Sequence, residues 1–123
     1  MKYALVIYQS PEAFAIRQDA VRGADYTGGW ISYASALTEA GVLVGGAGLA
    51  GPDTATTLRF GAGQPGEAYQ VQDGPFADTK EQLGGLFIID VPDLDTAMKW
   101  AARMPLIYGG SVEVQTIVHA TNL

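Results

Sequence analysis

Cysteine is absent from this 123-residue chain, histidine occurs once, and basic residues are scarce. Without cysteine there is no disulfide, no thiolate metal site and no cysteine nucleophile. The lone histidine, His119, lies near the end of the sequence and reads as an exposed strand-end residue rather than a catalyst. A site built from carboxylates alone would suit Mg²⁺ or Ca²⁺, but no loop has the ligand spacing for either; neither a metal nor a cofactor is expected. Seven Lys+Arg stand against thirteen Asp+Glu, a formal charge of −6. That balance repels a phosphate backbone and no basic cluster overrides it, so nucleic acid is not an expected partner. Long apolar runs are missing too. Nothing approaches the ~18–20 residues of a membrane span. The apolar stretch after Met1-Lys2-Tyr3 ends near Tyr8, too short for a signal-peptide core. The expected compartment is the cytoplasm.

What is present is a core-forming composition: 48% of residues are hydrophobic, and the length suits one domain over residues 1–123. Tyr3 to Tyr8 is β-branched and aromatic, a first strand. Ser10-Pro11-Glu12 has the chemistry of a helix start, with a short helix expected through Val21 and broken by Gly23, Gly28 and Gly29. From Trp30, apolar residues recur at helical spacing through Tyr33, Ala34 and Leu37 to a capping Gly41. Val42-Leu43-Val44 is a second strand fading into glycines. Thr54 to Phe60 and Glu67 to Gln72 form an extended hairpin across residues 61–66. Leu86 to Val91 is the most strongly patterned strand. Asp93 caps a helix carrying Leu94, Ala97, Met98, Ala101 and Met104 on one face and ended by Pro105. Ser111 to Val118 is the last strand, with Val112, Val114, Thr116 and Val118 facing one way.

The frame is an α+β, ferredoxin-like β-α-β-(β-hairpin)-β-α-β order. It places strands 3–8 and 86–91 at the centre of the sheet. Both are apolar on both faces, yet two helices cover only one side. Each large side chain left in water costs ~1.5–3 kcal/mol. A homodimer packed sheet to sheet is the expected cover.

Two glycine patterns, residues 46–51 and 61–66, match G-x-G-x-x-G. Both lead into turns and strands rather than opening a helix, which excludes the dinucleotide reading. The segment Asp73-Gly74-Pro75-Phe76-Ala77-Asp78-Thr79-Lys80-Glu81-Gln82-Leu83-Gly84-Gly85 differs in kind. After the Asp-Gly-Pro turn it packs an aromatic ring, two further acids, a hydroxyl and a lysine together, a mixture that can converge on a cleft. Asp73 and Asp78 are candidate proton acceptors, and Lys80 is a candidate counter-charge for an anion or a partner for Asp78 or Glu81. The alternative is a well-capped connection in which Phe76 anchors the core.

This segment resembles the signature of the DGPF-domain proteins, a branch of the YCII-related family. Matching pieces include Met1-Lys2-Tyr3, residues 40–46, Thr54-Ala55-Thr56-Thr57, Trp100 to Pro105 and Gly110 to Val114, while residues 10–30 depart from it. The resemblance implies a dimeric α/β barrel. It also implies a regulatory or accessory role, with an extracytoplasmic-function sigma factor as a possible partner, because many DGPF proteins are encoded beside such factors. Related YCII proteins include a hydroxyquinol-dechlorinating enzyme and use a His–Asp pair. Here the position of the Asp is matched by Glu39 and that of the His by Trp30, so the imidazole is missing.

Two functions are therefore expected as alternatives. One is a small-molecule enzyme or binding domain with its cleft between the long helix and the sheet and the 73–81 loop at the mouth. Asp73, Asp78, Lys80 and Glu39 would be its catalytic candidates, and Tyr8, Trp30, Arg59 and Phe76 its ligand-binding candidates. The other is a non-catalytic accessory protein that presents the loop to a sigma factor or another protein; beside both stands the expectation that the motif simply holds the dimer together.

Overall fold

The computed structural model describes residues 1–62, 69–76 and 79–122. Its element order is β1 (Lys2–Gln9), α1 (Pro11–Arg17), α2 (Arg22–Glu39), β2 (Leu43–Gly48), β3 (Thr56–Phe60), β4 (Tyr69–Asp73), β5 (Gln82–Asp90), α3 (Leu94–Ala101) and β6 (Gly110–Thr116). The main sheet runs β2-β5-β1-β6, antiparallel at every pairing, and β3-β4 forms a separate ribbon. This is the ferredoxin-like order, with the two doubly apolar strands at its centre. The structure is α+β, as the pattern of elements predicts.

Period-two alternation decides what β1 buries. Tyr3, Leu5, Ile7 and Gln9 are buried under the helices. Leu5 stands opposite Phe87 and Tyr3 opposite Ile89 on β5. Tyr33 and Leu37 of α2 and Ala97 and Ala101 of α3 complete that core. A smaller cluster of Ala13, Ile16 and Tyr26 fastens α1 to α2. On the other face of the sheet Ala4 and Val6 stand opposite Ile88 and Leu86, and all four are only half-buried.

Several boundaries differ from expectation. Helix α2 starts at Arg22 and runs straight through Gly23, Gly28 and Gly29. Burial of Tyr26, Tyr33 and Leu37 outweighs the poor propensity of three glycines. Gly23 is also required: a Cβ there would stand 2.8 Å from the Arg17 carbonyl oxygen, where α2 begins against the end of α1. Strand β2 continues to Gly48. At Gly46 a Cβ would press on the Phe87 ring at 2.8 Å, so the glycine lets β2 lie beside that ring. Helix α3 stops at Ala101, three residues before Met104, and Leu94 and Met98 on its expected apolar face are exposed. Its contact with the sheet is made through the small Ala97 and Ala101 instead. Its start is as expected, since the Asp93 side chain accepts from the Thr96 amide at 2.8 Å. Val118 lies beyond the end of β6 and is exposed. The expected hairpin turn falls largely on residues 63–68, outside the described residues.

Candidate functional site

A β-bulge organises the region below α2. Ile7 pairs with Gly85 and Tyr8 with Leu83, which leaves Gly84 as the extra residue of β5. Its carbonyl, released from the ladder, accepts from the Leu49 amide at 2.9 Å and from the Arg17 guanidinium at 3.2 Å. Gly84 also has no room for a side chain, because a Cβ would stand 2.5 Å from Oε1 of Gln9. That same Oε1 accepts from Arg17 at 2.5 Å, and the Gln9 Nε2 donates to the Tyr26 hydroxyl at 2.9 Å. Arg17 reaches the Leu49 carbonyl as well, at 2.5 Å. Burial lowers the Arg17 pKa from its ordinary value.

Beside this network, between α2 and the sheet, lies a cavity of about 450 Å³. Trp30, Tyr26 and Ile31 wall it from α2, Ile7 and Phe87 from the sheet, and the glycines of β2 and β5 leave the space open. The aromatic wall is tightly interlocked. Trp30 stacks on Phe87 with centroids 6.4 Å apart and meets Tyr26 and Tyr33 edge-on. The Tyr33 hydroxyl donates to the Trp100 carbonyl at 2.7 Å, and burial pushes its pKa up to about 12. The volume is ordinary for a small-molecule site, and the lining is mainly apolar with a few fixed polar groups.

A second cavity, about 540 Å³, lies by the signature segment and is lined by Tyr8, Pro52, Phe76, Thr79, Glu81 and Leu83 among others. Burial, and then the neighbouring Glu113, raise the Tyr8 pKa. Glu81 accepts from the Ser111 hydroxyl. Much of the signature is accounted for by backbone geometry. Gly74 adopts φ of 93°, a left-handed turn conformation, and its amide donates to the Ala55 carbonyl at 2.7 Å. Gly85 would strike the Ala47 carbonyl if it carried a Cβ.

The candidates chosen from sequence are thus dispersed. Trp30 lines the first cavity, and Tyr8 and Phe76 line the second. Arg59 is exposed on β3, its guanidinium 5.3 Å from the Phe76 ring centre. Asp73 ends β4 opposite Thr56, Lys80 follows the turn, and Glu39 ends α2; all three are exposed and line neither cavity. Phe76 is 69% exposed, so it does not anchor the core. Asp78 lies outside the described residues. Among the described residues no group of three or more His, Asp or Glu stands ready to hold a metal ion, and no helix is long and apolar enough to cross a membrane. Gln9, Arg17 and Tyr26 escaped the sequence reading. The one available signal was an isolated arginine closing a short apolar helix.

The curated relatives include an uncharacterized protein of Rhizobium meliloti (strain 1021), 48% identical over 63 residues, a stretch covering 51% of this chain and 48% of that protein. The match therefore spans about half the length of that relative. The family comparison reaches further, since the YCII-related domain matches residues 1–121. With nearly the whole sequence matched and the ferredoxin-like frame in place, the chain belongs to the YCII-related family.

Proposed function

We propose that this YCII-related domain binds a small, largely apolar molecule in the cavity between α2 and the sheet, and that it does so as a homodimer. The observation that carries the reading is the 450 Å³ space itself, walled by Trp30, Phe87 and Tyr26 and kept open by residues without side chains. Turnover is not part of the proposal. Asp73, Lys80 and Glu39 line neither of the two cavities described, and Trp30 stands where the resemblance would place a histidine. The dimer rests on the half-buried Ala4, Val6, Leu86 and Ile88 on the helix-free face, which a second copy would cover.

The test is a fluorescence titration with phenyl-naphthylamine, an uncharged dye that brightens on entering apolar surroundings. Wild type should bind it saturably. Ala34→Phe and Gly48→Leu, which add bulk to the cavity lining, should abolish the signal; a Cβ at Gly48 meets nothing within 4 Å, so the strand tolerates it. Binding that survives both variants would place the dye elsewhere and remove the support for this reading.

A second reading, an accessory protein that engages a protein partner such as an extracytoplasmic-function sigma factor, is favoured by one observation. The β3-β4 ribbon presents Leu58, Phe60, Tyr69 and Val71 on one face, all exposed, with the exposed Phe76 beyond it. A sheet face of that kind invites a partner. Dimer formation that buries the ribbon would make a further partner unnecessary, whereas a ribbon left free in the dimer would support this reading. Hydrogen exchange across β3 and β4 distinguishes the two.

A further inference from the structure

The structure assigns a charge to the occupant of the cavity beneath α2: we infer that it is a small organic anion with an apolar, aromatic-sized body, whose acidic group is received by Arg17. The inference rests on the binding reading above and goes beyond it by fixing the chemistry of the ligand.

Among the described residues lining the cavity, Arg17 is the one that carries a charge. Its guanidinium is held from three directions, by Oε1 of Gln9, the Leu49 carbonyl and the Gly84 carbonyl, all of them neutral acceptors. The ion pairs among the described residues involve the amino terminus, Lys2 and Arg22, and none involves Arg17. This is a chain with thirteen acidic residues and seven basic ones. A half-buried arginine left without a carboxylate in such a chain is a cation short of its counter-ion, since charges withdrawn from water are ordinarily paired. Burial depresses its pKa; the neighbouring Tyr26 offsets part of that loss, and no carboxylate does.

Donor accounting leads to the same place. A guanidinium carries five N–H groups, and three hydrogen bonds to protein leave two without a partner among the described residues. The head group is also fixed before any ligand arrives. The Phe14 ring lies 4.8 Å from its central carbon, and Gln9 is itself held by the Tyr26 hydroxyl. Preorganised donors of this kind suit a carboxylate or sulfonate. Everything else about the cavity, with Trp30, Phe87, Ile7 and Ile31 around it, suits an apolar body.

Paired dyes test the charge separately from the cavity. Anilinonaphthalene sulfonate and phenyl-naphthylamine share one ring system and differ in the sulfonate. Wild type should bind the sulfonate at least ~10-fold more tightly, the worth of one charge-assisted hydrogen bond. Arg17→Gln should remove that advantage, read as the ratio of the two dyes' affinities within the same variant, and Arg17→Lys should restore part of it. Equal binding of both dyes by wild type, or an unchanged preference in Arg17→Gln, would overturn the anion assignment while the cavity reading stood. Failure of wild type to bind either dye would overturn both. Should Arg17→Gln fail to fold, the preference of wild type alone decides.

Discussion

The buried Gln9 donates through its side-chain amide to the hydroxyl of Tyr26, at 2.9 Å, across the junction of β1 and α2. Both residues are nearly inaccessible to water, so the amide proton has no substitute acceptor if the hydroxyl is removed. Tyr26→Phe should therefore lower the unfolding free energy by about 1–3 kcal/mol, the cost of one orphaned buried donor. Urea denaturation checks it, and the variant should also loosen Arg17, which bonds to the same Gln9.

Two glycines of one helix should respond to the same substitution with opposite signs. Gly28 lies within α2 and a Cβ there meets nothing within 4 Å. Gly28→Ala should stabilise by roughly 0.5–1 kcal/mol through the lost flexibility of the unfolded chain. Gly23→Ala places its methyl 2.8 Å from the Arg17 carbonyl oxygen and should destabilise by about 1–3 kcal/mol, as overpacked sites do. Thermal unfolding of the pair decides.

Asp19 closes the start of α2 by accepting from the amides of Arg22 and Val21, at 2.8 and 2.9 Å, and from the Arg22 guanidinium. Those bonds, the Arg22 amide foremost, hold its pKa down at about 2. Because the folded value lies below the unfolded one of about 3.9, the carboxylate contributes stability that is complete above pH ~4 and is lost as the pH falls toward 2. Asp19→Ala should be less stable than wild type at neutral pH, and the two curves should converge below pH ~2. Unfolding measured across that window would show a constant gap if the account of the cap were wrong.

The open sheet face predicts self-association. Val6 is half-buried there opposite Leu86. A charge at its centre would be buried unpaired in a sheet-to-sheet dimer. Sedimentation should find wild type dimeric and Val6→Glu monomeric with its circular dichroism unchanged. A wild type that is monomeric at micromolar concentration contradicts the dimer.

The frame of the fold was legible because its elements carry strong local signals. β1 and the later half of β5 are short, strongly β-patterned apolar runs, and Asp93 is a capping residue just before an apolar helix. β1 and the start of α3 lie where their patterns put them, whereas β5 begins at Gln82, ahead of the expected Leu86. The beginning of α2 was not legible, since Gly23, Gly28 and Gly29 are local breakers that only tertiary packing overrides. The site was legible in part. Trp30 could be picked out by residue type, but the grouping of Gln9, Arg17 and Gly84 depends on a bulge that shifts one register between β1 and β5. No spacing in the sequence encodes that shift. In the dense polar signature from Asp73 the glycines shape the backbone, Asp73 and Lys80 are exposed, and Phe76, Thr79 and Glu81 line the second cavity.

The cavity beneath α2 is tested most directly by the two tryptophan indole signals in a proton–nitrogen NMR spectrum, recorded as phenyl-naphthylamine is added. Trp30 lines the cavity, whereas Trp100 sits on α3 under the guanidinium of Arg103 and lines neither cavity. The Trp30 signal and the amides of Gly46, Ala47 and Gly48 should move and saturate together while the Trp100 signal stays in place. A Trp30 signal that does not move as the dye binds, with shifts confined to Phe76, Thr79 and Leu83, would put the ligand in the other cavity and contradict the account.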